Sequence, residues 1–479
     1  MLGPRMERES ALKRHASVVA SDTDTTADGE AAGLRGFLAR HERAAFVLLL
    51  LVGLVERVVW VSQHDRLRPA VSETQQVAAC FARTGVLCDA YFPGQGPTAH
   101  VNPVLPTIAG LVYRAFGVGS PTTEMVLTAF SLTVLCVTLL AFYLAFRRLG
   151  LPVEWRLAAL ATALILPMNF KWETVSMRLF EGGVSAALLA VSLLLVVRLD
   201  DRGEPLRPRD YLLPAVLVGL LALINPPAAL GAYGAFGILT LKRVPVRRWL
   251  GVALVMTMGL AVFIVPWGLR NESAFGRLIL ARSNFPLEHA LGFHQAAVSP
   301  DDPAAVFRAR AREIHPYSGE IVAPGRDAVA RIGELAYMDR LAAETKAWER
   351  DHPLDTVRIA ARHLQEFWLP PRWSWNIFNV DAPLVAVRQA FVWATVVAAF
   401  AALAWRLVQA PLGTGLYLAC VLIIPSLPYA LVQPIQRYRY LVLVLTLFLA
   451  ADFAARVAAY AARRRRLRPA GGPSHEGPG

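Results

Sequence analysis

Residues 193–219 read LLLVVRLDDRGEPLRPRDYLLPAVLVG: an apolar run, a break with four arginines, and a second apolar run. Similar basic breaks occur at Arg147–Arg148, at 242–248 and at Arg463–Arg466, whereas the breaks between them lack this excess. Cytoplasmic loops collect Lys and Arg, and short translocated loops avoid them. The alternation therefore predicts that both termini are cytoplasmic and that the remaining loops lie outside the membrane.

The composition excludes an ordinary soluble protein. Of 479 residues, 55% are hydrophobic and 18% are charged, which is typical of an all-α polytopic membrane protein. The net charge of +13 lies mostly in the basic breaks and tails, so it indicates topology and contact with anionic membrane lipid, and we expect no nucleic acid partner. The excess of arginine over lysine favours a bacterial protein of the cell (inner) membrane.

The apolar runs predict about ten transmembrane helices, at roughly 20 residues each. Residues 211–241 hold one ambiguity, because they form either one long helix or two. Both flanks are basic, so we predict two crossings that turn at Asn225-Pro226-Pro227. The predicted spans are 44–62, 124–146, 155–169, 180–198, 211–225, 227–241, 249–268, 385–408, 412–432 and 438–460.

This layout divides the chain into five regions. We predict a disordered cytoplasmic tail over 1–42, because that stretch is polar and offers little to pack. A membrane module follows over 43–268, with a first outer loop at 63–123. Residues 269–384 form an extracytoplasmic helical insertion with amphipathic patterns over 329–348 and 354–368. The membrane helices of 385–460 and a basic cytoplasmic tail at 461–479 complete the chain.

Glu73 lies at the start of a predicted helix in the first outer loop, with Ser72 as its N-cap. A carboxylate in a first helical turn often does no more than complement the helix dipole. At the membrane surface it is also a candidate general base for an acceptor hydroxyl. Further along the loop, His100 is either a proton carrier or phosphate contact, or simply a hydrogen-bonded loop histidine.

Other outer charges mark a second set of candidates. Glu173 and Glu181 flank the entry into the fourth span, where an ionisable side chain is costly unless it is paired or functional. Arg270, Arg437 and Arg439 stand at outer helix ends, against the positive-inside trend. Interfacial anchoring explains such arginines, and so does binding of a lipid phosphate.

Four cysteines are present. Cys80 and Cys88 share the first outer loop, where the compartment permits a disulfide; two free thiols remain the alternative. No His, Cys and carboxylate spacing resembles a metal site.

The order of these motifs resembles the bacterial branch of the GT-C integral membrane glycosyltransferases, which includes protein O-mannosyltransferases and aminoarabinose transferases. The motifs are an acidic residue early in the first outer loop, Gly-Pro-Thr-Ala at 96–99, Pro-Trp-Gly-Leu-Arg-Asn at 266–271 and Arg-Tyr-Arg at 437–439. The resemblance covers most of 43–460 and implies a GT-C-like fold. It departs from the family at Ser72-Glu73, where an aspartate is typical.

The resemblance implies transfer of a sugar from a polyprenyl-phosphate donor to a glycan or protein acceptor outside the membrane, with inversion. Glu73 falls at the position of the family's catalytic acid, and Arg270 and Arg437 fall among the helix ends that meet the donor phosphate. We expect no cofactor, since the lipid-linked donor is a substrate; whether a metal takes part is left open. The alternatives are a transporter or flippase, a ligase for lipid-linked glycans, and a silent scaffold.

Overall fold

The computed structural model of the chain describes Gly33 and residues 35–64, 72–165, 181–316, 324–375, 377 and 384–466. Within these ranges the regular elements are helices, and the only β-type pairing is the single bridge between Cys88 and Pro97. The α-helices are α1 (Glu42–His64), α2 (Glu73–Thr84), α3 (Val104–Phe116), α4 (Pro121–Arg148), α5 (Val153–Ile165), α6 (Glu181–Asp200), α7 (Leu212–Ile224), α8 (Pro226–Arg243), α9 (Trp249–Phe275), α10 (Phe285–Gly292), α11 (Pro303–Ile314), α12 (Pro324–Ile332), α13 (Glu334–Asp351), α14 (Pro353–Trp368), α15 (Val385–Gln409), α16 (Gly415–Ile423) and α17 (Tyr440–Arg466).

The chain is an all-helical, multi-pass membrane protein. Among the described residues, six helices are long and apolar enough to cross a bilayer: α1, α4, α6, α9, α15 and α17. The other four predicted spans correspond to the shorter helices α5, α7, α8 and α16, so the total of about ten crossings stays a prediction.

The predicted break at Asn225 is confirmed. The Asn225 side chain caps α8 by accepting a hydrogen bond from the Ala228 N–H at 3.1 Å. The far ends of the two helices are also in contact: Thr240 Oγ1, near the end of α8, donates to the hydroxyl of Tyr211, the residue before α7, at 2.9 Å. Helices α7 and α8 therefore form an antiparallel hairpin.

Ion pairs define one end of the bundle, here called the arginine-rich end. Arg148 pairs with Asp201, Lys242 with Asp200, and Arg406 with Asp452, each at 2.8–2.9 Å. The opposite end carries the 269–384 segment and the first loop, and is here called the insertion end. Which end faces the cytoplasm remains a prediction from the charge pattern.

A buried arginine on α1 binds to α5 inside the bundle. The Arg57 side chain is 0% exposed, and its guanidinium donates to the carbonyls of Gly53, Ala163 and Leu164 at 3.0–3.2 Å. Arg57 therefore joins α1 to α5.

Three sequence predictions need correction. Helix α9 runs to Phe275 and not to 268, because its stop signal is Gly276 in the left-handed conformation (φ 65°). The amphipathic pattern over 329–348 is two helices, because Gly333 at φ 84° separates α12 from α13. Residues 35–40 are helical and not disordered; residues 1–32 and Leu34, which the predicted tail also includes, lie outside the described residues.

Candidate functional site

Helix α2 places Glu73 at its first position. A capping box fixes this start: Gln75 N–H donates to Ser72 Oγ at 3.3 Å, and Ser72 N–H donates to Gln75 Oε1 at 3.1 Å. The other end of the helix is held by a Cys80–Cys88 disulfide, which decides between the two predictions for these cysteines. Both ends of the helix that carries Glu73 are thus fixed by local chemistry.

The Glu73 carboxylate faces an imidazole from the insertion. Its Oε1 lies 3.6 Å from Nε2 of His315, and 23% of the Glu73 side chain is exposed. Burial raises the pKa of Glu73, but the electrostatic effects of His315 and His100, a backbone hydrogen bond and Arg437 together lower it more, so the pKa falls below its usual value. The carboxylate form, which a general base requires, is therefore the form present at neutral pH.

His100 lies beside this carboxylate but is a buried, hydrogen-bonded residue. Its Nδ1 is 2.5 Å from the hydroxyl of Tyr91, and the side chain is 4% exposed. Burial lowers the pKa of His100 to about 3, so the ring is neutral at physiological pH. Of the two alternatives for His100, these contacts match a loop histidine with a hydrogen-bonding function. A function of His100 as a proton carrier or phosphate contact stays a prediction.

Arg437 is the cationic side chain near Glu73 that comes from the C-terminal part of the chain. It begins the last apolar segment and lies within electrostatic range of three carboxylates, those of Glu73, Glu181 and Glu288. Its neighbour Tyr438 donates to Glu288 Oε2 at 3.3 Å. The structure therefore brings together the insertion end of α17, the first loop and helix α10.

A second arginine near the same carboxylates, Arg282, lies in the linker between α9 and α10 (residues 276–284). It pairs with Glu181 at 2.8 Å, and the carboxylate of Glu181 raises the pKa of Arg282 despite the opposing effect of burial. The linker is held in place because Trp267 Nε1 donates to the Ala281 carbonyl at 2.6 Å and Asn271 Nδ2 to the Ile279 carbonyl at 2.7 Å. Glu181 is thus a paired residue, and Glu173 lies outside the described residues.

Arg270 binds the backbone of the first loop. Its guanidinium donates to the carbonyls of Leu87 at 2.7 Å and Thr98 at 2.8 Å, and to Asn271 Oδ1 at 2.9 Å. It also stacks over the Trp267 ring at 5.1 Å. These contacts give Arg270 a structural function, and its predicted contact with a donor phosphate stays a prediction.

Glu334 is a buried carboxylate that joins the insertion to the first loop. It accepts hydrogen bonds from Gln95 Nε2, Thr98 Oγ1, the Ala99 N–H and Ser283 Oγ at 2.5–3.1 Å. Burial raises the pKa of Glu334, while these four donors favour the charged form. The Gly-Pro-Thr-Ala loop before His100 is therefore positioned by the first residue of α13.

Arg439 is 3% exposed and faces the interior. It lies deeper than Arg437, so direct phosphate binding by Arg439 remains a prediction. The described His, Cys, Asp and Glu residues include one group with metal-like spacing, Cys80, Cys88 and Asp89. Its two thiols are joined in the disulfide and are not available as thiolate ligands.

Sequence reasoning missed His315, Arg282, Glu288 and Glu334. Arg282, like Arg270, lies in a segment that the charge pattern predicts to be on the outer side, so the same signal was present, but many other arginines of the insertion obscured it. Nothing in the local sequence marks the others, because their partners come from distant segments.

No protein-family model matches the chain, and no curated protein matches it significantly. Two similar solved structures come from Archaeoglobus fulgidus. One is the archaeal oligosaccharyltransferase AglB in complex with an inhibitory peptide and a dolichol-phosphate, at 15% identity and a TM-score of 0.49, covering 91% of this chain and 52% of that one. The other is an oligosaccharyltransferase in the apo form, at 13% identity and a TM-score of 0.45, covering 88% and 51%. The chain spans about half the length of these proteins, and the likeness at this level does not assign it to a family.

Proposed function

We propose that this chain is a GT-C-type membrane glycosyltransferase that transfers a sugar from a polyprenyl-phosphate donor to an acceptor hydroxyl on the extracytoplasmic side. The observation that carries the proposal is the electrostatic contact of Glu73 with Arg437 at the insertion end of the bundle. Arg437 also lies within electrostatic range of Glu181, which pairs with Arg282 at 2.8 Å.

In the proposed reaction Glu73 accepts the proton of the acceptor hydroxyl. At the same time the hydroxyl oxygen of the acceptor attacks the anomeric carbon of the sugar. The bond from that carbon to the phosphate oxygen breaks on the opposite face, which gives inversion. Arg437 and Arg282 stabilise the charge that develops on the departing polyprenyl phosphate. The site lies next to apolar helices, as a donor with a lipid tail requires.

The test uses membranes that contain the full-length protein, labelled polyprenyl-phosphate sugars and an acceptor mixture. Wild-type protein should move label from lipid to acceptor. Glu73→Gln should reduce transfer by about 100-fold or more, since a positioned general base contributes that much. Glu272→Gln is the matched control, because Glu272 is an exposed carboxylate near the same end, on α9.

Each other outcome has a distinct meaning. Full transfer by Glu73→Gln contradicts the assignment of the base. Label that crosses the membrane but stays on the lipid favours the flippase. Transfer only of preassembled glycans favours the ligase, and a wild-type protein that leaves every labelled lipid unchanged contradicts a transferase.

A further inference from the structure

His315 is positioned to face Glu73 by the end of helix α11. Its backbone N–H donates to the Ala311 carbonyl at 2.9 Å, which continues the helical pattern by one residue. The preceding carbonyl, of Ile314, accepts a hydrogen bond from the Tyr337 hydroxyl at 2.5 Å. The helix end is therefore anchored to α13, and the imidazole has a defined place opposite the carboxylate.

The proposed reaction leaves a proton on Glu73. The carboxylate becomes a neutral acid once it has taken the acceptor's proton, and it must lose this proton before the next turnover. The polyprenyl phosphate leaves as an anion and does not need the proton. A group that receives the proton and exchanges it with water would complete the cycle.

Three described cationic or imidazole groups face Glu73: His315, His100 and Arg437. Arg437 has no acceptor atom. His100 is buried, its Nδ1 is engaged with Tyr91, and its pKa near 3 makes it a poor acceptor. His315 differs because 17% of its side chain is exposed while Nε2 stands 3.6 Å from the carboxylate.

We propose that His315 is a positioning residue that serves as the proton-relay partner of Glu73, an inference that rests on the proposed function. Nε2 of a neutral His315 accepts the proton from the Glu73 carboxylic acid. The imidazolium then returns a proton to solvent, which reaches the exposed part of its side chain. One proton leaves the acceptor hydroxyl, passes over both residues and reaches solvent, and Glu73 and His315 return to their starting forms. The 3.6 Å separation is longer than a hydrogen bond, so proton transfer requires the two side chains to approach each other.

The experiment measures kcat and donor KM for His315→Ala and His315→Gln, with and without imidazole in the buffer. Both variants should lose about 100-fold in kcat, the lower range for assisted proton transfer, with donor KM changed less than about twofold. Added imidazole should restore part of the kcat of His315→Ala in proportion to the free base. His352→Ala is the matched control, since His352 stacks on Trp348 at 5.0 Å between α13 and α14; it should keep the wild-type kcat and show no imidazole effect.

Two results overturn the inference. One is a wild-type kcat in either variant. The other is a loss in His315→Ala that imidazole does not restore while His315→Gln retains activity, because the residue would then act only through a hydrogen bond. If His315→Ala does not fold, the kcat of His315→Gln and its rise with added buffer base decide the question. Absence of transfer by the wild-type protein is a separate result, which contradicts the proposed function itself.

Discussion

The guanidinium of Arg282 and the carboxylate of Glu181 form an ion pair at 2.8 Å that joins the linker after α9 to the start of α6. Both side chains are largely buried, at 21% and 16% exposure. Glu181 also lies within electrostatic range of Arg437, so the pair brings a second guanidinium to the site and neutralises it in the free protein. A donor phosphate would share the guanidinium with Glu181.

Replacement of Arg282 by Ala should raise the donor KM by about 10- to 100-fold, the equivalent of one charge-assisted hydrogen bond of about 1.5–3 kcal/mol. Steady-state assays with varied donor measure this. Arg277→Ala is the control, because its pair with Asp339 is exposed at 56% and 58%. The double variant Glu181→Gln/Arg282→Ala should be more stable than the Arg282→Ala variant, which leaves Glu181 without its ion-pair partner, but its donor KM should stay raised. A wild-type donor KM in the Arg282→Ala variant would show that Arg282 does not bind the donor.

Arg270→Lys should lower the free energy of unfolding by about 1–3 kcal/mol, because one ammonium cannot reproduce the fork that reaches both the Leu87 and Thr98 carbonyls. The measurement is thermal unfolding in detergent together with limited proteolysis of the first loop. If the variant is as stable as the wild-type protein but has a raised donor KM, Arg270 binds phosphate and is not a loop anchor.

The Cys80–Cys88 disulfide closes a short loop behind the Glu73 helix. The variant Cys80→Ser/Cys88→Ser should lose about 2–3 kcal/mol of stability. Thermal unfolding with and without reductant checks this: reductant should lower the melting temperature of the wild-type protein and leave that of the double variant unchanged. Cys136→Ser, which alters a free cysteine within α4, is the control and should respond to reductant as the wild-type protein does.

Buried histidines should make the protein sensitive to acid. Burial lowers the pKa of both His100 and His363 to about 3, whereas an unfolded histidine titrates near 6.5. Below pH 6.5 the unfolded state therefore binds more protons, and stability falls by up to about 1.4 kcal/mol per pH unit for each histidine until pH approaches 3. His363→Asn, which can still donate to the Ala430 carbonyl, should reduce the slope of melting temperature against pH between 6.5 and 5; an unchanged slope would contradict this role.

Local patterns predicted the local features well. Ser72 before Glu73 indicated the helix start, and Asn225 before two prolines indicated the hairpin turn, because caps and turns depend on neighbouring residues. The six long spans follow from apolar length. Helix α9 extended beyond its apolar run because polar residues also form helix, and its end is set by Gly276.

The contacts between distant segments were not predictable from one sequence. His315 meets Glu73 only because the insertion folds back over the first loop, and no periodicity encodes that docking. Arg282 was obscured because the positive-inside trend applies to short loops and loses meaning inside a large outer segment. The charge pattern predicted that Glu73 and Arg437 lie on the same side of the membrane, and the structure brings them within electrostatic range of each other.

The Glu334 carboxylate bears on how the molecule can be divided. Of its four donors, those from Gln95, Thr98 and Ala99 belong to the first loop, and only Ser283 belongs to the insertion. A fragment cut at 269 and 384 would keep the carboxylate and lose three of its donors. The insertion is therefore a topological unit and not an autonomous module, and antigens, truncations or chimaeras built from it need the first loop to preserve its native surface.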